Sequence, residues 1–151
     1  MFSHASDKMM DINLSKAKDV LCFGDYTCVL CKGDTVVTST RRGVAPLVAF
    51  IESKQSYKGF SAADKVVGKA TAFLYVLIGV KSIYARVISK SALQVLTENQ
   101  IIVHYDNLVE NIINRQGNDI CPFEKTVLDI TNPATAYENI LNKIHEMNIE
   151  I

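Results

Sequence analysis

The sequence predicts an α/β protein, a three-layer α/β/α sandwich built on a small mixed sheet. Three observations carry that prediction. Helix-like and strand-like patterns alternate along the chain, in the order helix, hairpin, helix, long helix, strand, helix, strand, helices. The residues around Lys32-Gly33-Asp34 form a strong antiparallel hairpin signal, because glycine tolerates the positive φ of a tight turn. The succession "SIYARVIS", "KSALQVLTEN", "QIIVHY" has the spacing of a strand–helix–strand crossover, which makes the later strands the parallel part of the sheet.

Each element has its own warrant. After about ten residues expected to be loosely ordered, "NLSKAKDVLCF" carries Leu14, Ala17, Val20 and Leu21 at helical spacing and ends at Gly24 and Asp25. "YTCVLCKGDTVVTST" supplies the two strands of the hairpin. "VAPLVAFIESK" places Pro46 near its start, where a missing N–H costs little, and a stripe of Leu47, Val48 and Ile51 makes it a helix. "SAADKVVGKATAFLYVLIG" opens with Ser61 three residues ahead of Asp64, a capping-box-like pattern, and closes at Gly79. It is apolar all round from Ala70, so one long helix packed on both sides is expected. "LVENIINR" reads as a short helix; "CPFEKTVLDI" and "PATAYENILNKIHEM" are the last two, separated by Thr131-Asn132 and Pro133. No internal repeat, low-complexity tract or linker interrupts the 151 residues, and a single domain is expected.

Composition narrows the function classes. A chain of 151 residues, 48% of them apolar, should bury roughly 70% of the surface its unfolded form exposes. Sixteen basic residues balance sixteen acidic ones, so there is no global field for nucleic acid or anionic lipid, and neither is an expected partner. No apolar run approaches the ~20 residues of a spanning helix, and "MFSHASDKMM" lacks the features of a signal peptide. A cytoplasmic location follows as the expectation, with Cys22, Cys28, Cys31 and Cys121 as reduced thiols. Cys28-x-x-Cys31 is a poor metal motif, because residues three apart in a strand point to opposite faces. A second ligand pair is missing, and His4, His104 and His145 form no motif with the cysteines, so neither a metal nor another cofactor is expected. His104, inside an apolar strand pattern, reads as a packed core or edge residue.

Three stretches hold candidate site residues. In "NRQGNDICPFEKTVLDI", Cys121 falls at an N-cap, Pro122 at the first helical position and Glu124 at the third, where its carboxylate can reach back to the cap N–H. Capping explains Pro122 and Glu124. It does not explain Cys121, since Ser, Thr, Asp or Asn caps better. A thiolate there is favoured by the helix dipole, and Arg115 can fold back toward it, so both a reactive and a structural role stay open. In "SAADKVVGKATA", Lys65 and Lys69 are four apart and share a helix face with Ala72 and Val76. Gly68, between them, disfavours a helix interior by ~1 kcal/mol relative to alanine, which points to a close approach to the backbone or to helix packing. The stretch lacks the first glycine and the spacing of a P-loop. In "STRRGVAPL", Arg41, Arg42 and Gly43 precede a helix start, where a phosphate or carboxylate would be favoured, although solvated arginines explain them as well. Ser89 ends a strand where α/β sheets bind ligands, or simply caps the next helix.

Together "RRGVAPL", "DKVVGKA", "VISKSALQVL" and "NRQGNDICPFE", spanning about Cys28 to Tyr137, resemble an uncharacterised bacterial family with a cytidine-deaminase-like fold that lacks the deaminases' zinc ligands. Deaminases hold zinc with a His or Cys near one helix start and a P-C-x-x-C pair at another. Here "ADKVVGKA" stands where H-A-E or C-A-E belongs. "ICPFE" keeps the separation of Cys121 and Glu124 but reverses proline and cysteine and replaces the second thiol by a carboxylate. The resemblance implies two helix N-termini facing one pocket, furnished with Asp64, Lys65, Lys69, Cys121 and Glu124.

Two functions stay open. One is an enzyme, or degenerate enzyme, acting on an anionic or nucleotide-like small molecule. Arg42 and Lys69 would hold the ligand, Cys121 would be nucleophile or redox thiol, and Glu124 or Asp64 would handle protons. The other is a non-catalytic ligand-binding or regulatory module using the same pocket. Gly43, Lys65, Gly68, Ser89 and Arg115 complete the expected ligand-binding set. A homo-oligomer is compatible with either function.

Overall fold

The computed structural model describes residues 10–151; the expectation of a loosely ordered start falls almost wholly outside them. Helix α1 (Ile12–Phe23) begins at Asp11, whose side chain accepts the Leu14 N–H at 2.8 Å, and buries Leu14, Ala17 and Leu21 on one stripe. The hairpin β1 (Cys28–Lys32) and β2 (Thr35–Ser39) turns at Gly33, with φ +60°. Helix α2 (Ala45–Glu52) follows with Pro46 in its first turn, then β3 (Ser61–Val67) and α3 (Lys69–Ile78). The chain continues through β4 (Ser82–Ser89), α4 (Lys90–Glu98), β5 (Ile102–Val109), α5 (Pro122–Thr126) and α6 (Pro133–Glu146).

One five-stranded mixed sheet, in the order β2-β1-β3-β4-β5, organises the molecule. β1 runs antiparallel to both β2 and β3, while β3–β4 and β4–β5 are parallel. Helix α1 covers one face through Leu14, Ala17 and Leu21 packed on Val29, Cys31, Ala63 and Tyr84. The main core lies on the other face, where Leu47 and Val48 of α2, Phe73 and Leu74 of α3 and Leu96 of α4 meet Leu30, Ala62, Ile83 and Val103. Helix α6 packs on α3 and α5 and adds Ile140 and Ile144 to that core. These layers are those of an α/β/α sandwich. Cys28 faces the main core and Cys31 the α1 side, so the two thiols point apart as the strand period requires. Among the described residues no helix is long and apolar enough to cross a membrane.

One expected helix is a helix only in its second half, and another is absent. The stretch 61–79 divides into β3 and α3 at Gly68, and Ser61 is no cap: its hydroxyl lies 2.7 Å from that of Ser82 on the neighbouring strand. The small residues Ser61, Ala62 and Ala63 suggest a helix by propensity. They sit, however, in a central strand buried on both faces, which erases the period-two signal. Lys65 and Lys69 therefore do not share a helix face. The second correction concerns "LVENIINR": β5 runs on to Val109, and the chain then forms a loop closed by a bridge between Ile113 and Ile120.

β3 and β4 each change phase once. Ala62 and Val67 both reach the main core although they are an odd number of residues apart, and so do Ala85 and Ile88. In β3 the change falls between Asp64 and Val67, where the Lys65 N–H donates to the Thr27 carbonyl at 3.1 Å in continuation of the β1–β3 register. Asp64, Lys65 and Val66, at this end of β3, lie along a cavity wall.

Candidate functional site

Two joined hollows open at this end of the sheet. An inner chamber of about 390 Å³ lies between the end of β3, the starts of α3 and α5 and the loop that follows β5. An outer recess of about 780 Å³ adjoins it and is walled in part by Met147, Ile149 and Glu150 near the C-terminus. Arg42, Gly43, Val44, Arg115, Cys121 and Phe123 line both and so form the neck between them. The positive φ of Gly43, +64°, turns the chain into α2, whose first turn receives no side-chain cap. The inner volume suits a small molecule.

Asp64 forms part of the inner wall and is 8% exposed. One carboxylate oxygen accepts the Val66 N–H at 3.2 Å and the other accepts the Tyr75 hydroxyl at 2.7 Å. The Tyr75 hydroxyl lies 3.2 Å from the Cys28 thiol, completing a buried carboxyl–phenol–thiol chain. Burial lifts the Asp64 carboxyl to about 7 against the opposing pull of these hydrogen bonds. Burial also raises the Cys28 thiol and the Tyr75 phenol, and the Asp64 charge adds to both effects.

The starts of α3 and α5 face each other across the chamber, joined by Glu124. Its Oε1 accepts the Lys69 N–H at 2.8 Å and its Oε2 the Ala70 N–H at 3.0 Å, so the carboxylate of one helix caps the other. The capping box expected within α5 does not form; the Cys121 N–H donates instead to the Ile112 carbonyl at 2.9 Å. Gly68 is the N-cap of α3 rather than a mid-helix residue, and what approaches its backbone is this carboxylate.

Arg42, Gly43, Asp64, Lys65, Gly68, Arg115, Cys121 and Glu124, distant in sequence, therefore line one chamber. Lys69 and Ser89 do not. The Lys69 ammonium turns away to donate to the Leu128 carbonyl at 2.9 Å and lies 5.8 Å from the centre of the Phe73 ring. Ser89 is fully buried and caps α4, its hydroxyl accepting the Ala92 N–H at 3.1 Å and lying 3.3 Å from that of Ser91. Cys121 is half-buried at the neck and its side chain accepts no capping hydrogen bond. Sequence reasoning missed Tyr75, which lies behind Asp64, and Thr71, whose side chain lines the chamber. The available clue for Tyr75 was a phenol inside an all-apolar helix, where a buried hydroxyl needs a partner.

Fold and cavity together define an α/β protein with a mixed five-stranded sheet and a small-molecule-sized chamber where two helix starts meet a strand end. The chain belongs to the family described as "TM1506: Domain of unknown function (DUF1893)", whose model matches residues 16–144. It is similar to the crystal structure of a DUF1893 family protein (TM1506) from Thermotoga maritima, with 28% sequence identity and a TM-score of 0.82. That likeness covers 95% of this chain and 97% of the other. No curated protein matches the chain.

Proposed function

We propose that the inner chamber and its neck bind an anionic, nucleotide-like small molecule in a cytidine-deaminase-like fold that works without zinc. The observation that carries this reading is the meeting of Arg42 and Arg115 at one neck, beside the uncapped start of α2 and above a mainly apolar chamber that also holds Lys65 and Thr71. The two facing helix starts support the deaminase-like part. Glu124, which stands where the deaminases' second thiol belongs, caps the start of α3 with both oxygens, and the described residues bring no group of three metal-ligating side chains together.

The test is calorimetry with a panel of nucleotides and sugar phosphates on the wild type and on Arg42→Ala, Arg115→Ala and the double variant. Binding is expected in the wild type, with each single substitution weakening it roughly tenfold or more, since a hydrogen bond to a charged group contributes about 1.5–3 kcal/mol. Equal affinity in all four proteins sinks the proposal.

A second reading adds chemistry at Cys121. It is supported by the thiol's place at the neck, half-buried and without a capping role. Cys121→Ser would then keep ligand binding and lose turnover. Turnover by the variant at the wild-type rate removes the nucleophile role from Cys121, and ligand bound by the wild type without any turnover makes the site a binding module.

A further inference from the structure

We propose that the inner chamber takes up its anion together with one proton, which Asp64 carries, and that Tyr75 and Cys28 are the residues that position it. The inference rests on the anion-binding reading above. Asp64 and Glu124 are the two carboxylates on the chamber wall, and they are placed differently. Glu124 compensates the start of α3 with both oxygens. Asp64 makes no ion pair among the described residues, and an ionised Asp64 would repel an incoming anion in a confined, poorly solvated space. Protonation removes that repulsion.

The buried chain accommodates both states. With Asp64 ionised, the Tyr75 hydroxyl donates to the carboxylate and accepts from the Cys28 S–H. With Asp64 protonated, its O–H donates to the Tyr75 oxygen, and Tyr75 donates to the Cys28 sulfur. Every member keeps a partner and no heavy atom has to move. No ion pair holds this acid ionised; it is met by the Val66 N–H on one oxygen and, on the other, by a phenol whose other neighbour is a thiol. The bond formed is the O–H of Asp64, its proton coming from solvent, and no bond of the ligand breaks. The other titratable or charged groups around Asp64 are Cys28 of β1, Lys65 of β3, Tyr75 of α3, Arg42 ahead of α2, Arg115 after β5, and Cys121 and Glu124 at α5. Burial has already brought the Asp64 carboxyl to about 7, so the free protein is ionised above neutrality and gains the proton readily.

Sulfate is the probe, because it does not itself titrate near neutrality. Calorimetry with sodium sulfate at pH ~8, in two buffers of different ionisation enthalpy, reads the protons taken up per sulfate bound. Wild type should take up most of one proton, and Asp64→Asn should bind sulfate at least as tightly and take up none. Tyr75→Phe removes a donor to the carboxylate and should move the uptake to higher pH, which a merely structural loss would not do. In wild type the sulfate affinity should fall up to roughly tenfold per pH unit above the carboxyl's titration. That profile and the buffer pair need only the wild-type protein, so a misfolded Asp64→Asn leaves the test intact. Sulfate heat that does not depend on buffer, with an affinity flat in pH, overturns this inference alone. No sulfate heat at any pH overturns the anion-binding reading and this inference with it.

Discussion

A Cβ atom placed on Gly68 would lie 2.6 Å from the carboxyl carbon of Glu124, closer than packed atoms approach. The glycine at the start of α3 is there because a carboxylate from α5 rests on it. Gly68→Ala should lower stability by about 1–3 kcal/mol by displacing that carboxylate. Glu124→Ala should lower it by roughly 2–4 kcal/mol, since two N–H groups lose a charged acceptor. The double variant should be less destabilised than the two effects added, because the alanine methyl then meets no carboxylate. Urea denaturation of the four proteins checks this; strict additivity would separate the two residues.

The Asp64 carboxyl makes stability depend on pH in a fixed direction. Its folded value is raised to about 7, so between ~pH 4 and ~7 the folded state holds a proton that the unfolded state has released. This group therefore lowers stability as pH rises, by up to about 1.4 kcal/mol per unit across that window. Asp64→Asn should remove this slope and be the more stable protein above pH ~7. Thermal melts of both proteins across the range supply the comparison.

The four free thiols should divide by position. Cys28 and Cys31 are buried, Cys22 is exposed and Cys121 is half-buried at the neck. Iodoacetamide on the native protein should label Cys22 and Cys121 and spare Cys28 and Cys31 until the chain unfolds. Sulfate should slow labelling at Cys121 and leave Cys22 unaffected. Mass spectrometry of the labelled peptides gives the answer, and protection spread equally over both sites would count against an anion at the neck.

His104 is 3% exposed and its Nε2 has no hydrogen-bond partner among the described residues. Burial lowers its pKa, and Lys18 lowers it further. Because the unfolded imidazole then takes a proton at higher pH than the folded one, stability is lost as pH falls through ~6.5. His104→Leu should reduce that acid sensitivity and raise neutral stability by roughly 1 kcal/mol by removing an unmet polar group. A lower melting temperature at pH ~5 in the variant would contradict this account.

Much of the architecture was legible because it rests on local chemistry. The hairpin follows from Gly33, the crossover from the β-branched residues of β4 and β5 around an amphipathic α4, and the start of α6 from Asn132 and Pro133, with Asn132 accepting the Ala134 N–H at 2.9 Å. β3 was illegible for a physical reason: Ala62 and Ala63 are helix formers by propensity, Ser61 suits a helix cap, and only their place between two strands makes them extended. The site fared similarly. Arg42 and Cys121 stood out in the sequence because each precedes a helix start, whereas Gly68, read inside a helix, proved to be its N-cap. The roles of Glu124, Tyr75 and Lys69 depend on partners from other elements, which sequence spacing does not reveal.

The tie between α5 and α3 also governs traffic. A molecule cannot be admitted by swinging α5 outward unless both charge-assisted bonds of Glu124 break, so that wall behaves as a fixed panel. On the proposed reading, a ligand entering by the neck passes the guanidinium groups of Arg42 and Arg115, exposed side chains that reorient within nanoseconds. Capture should thus be governed by diffusion and charge, with no slow opening step to cap its rate.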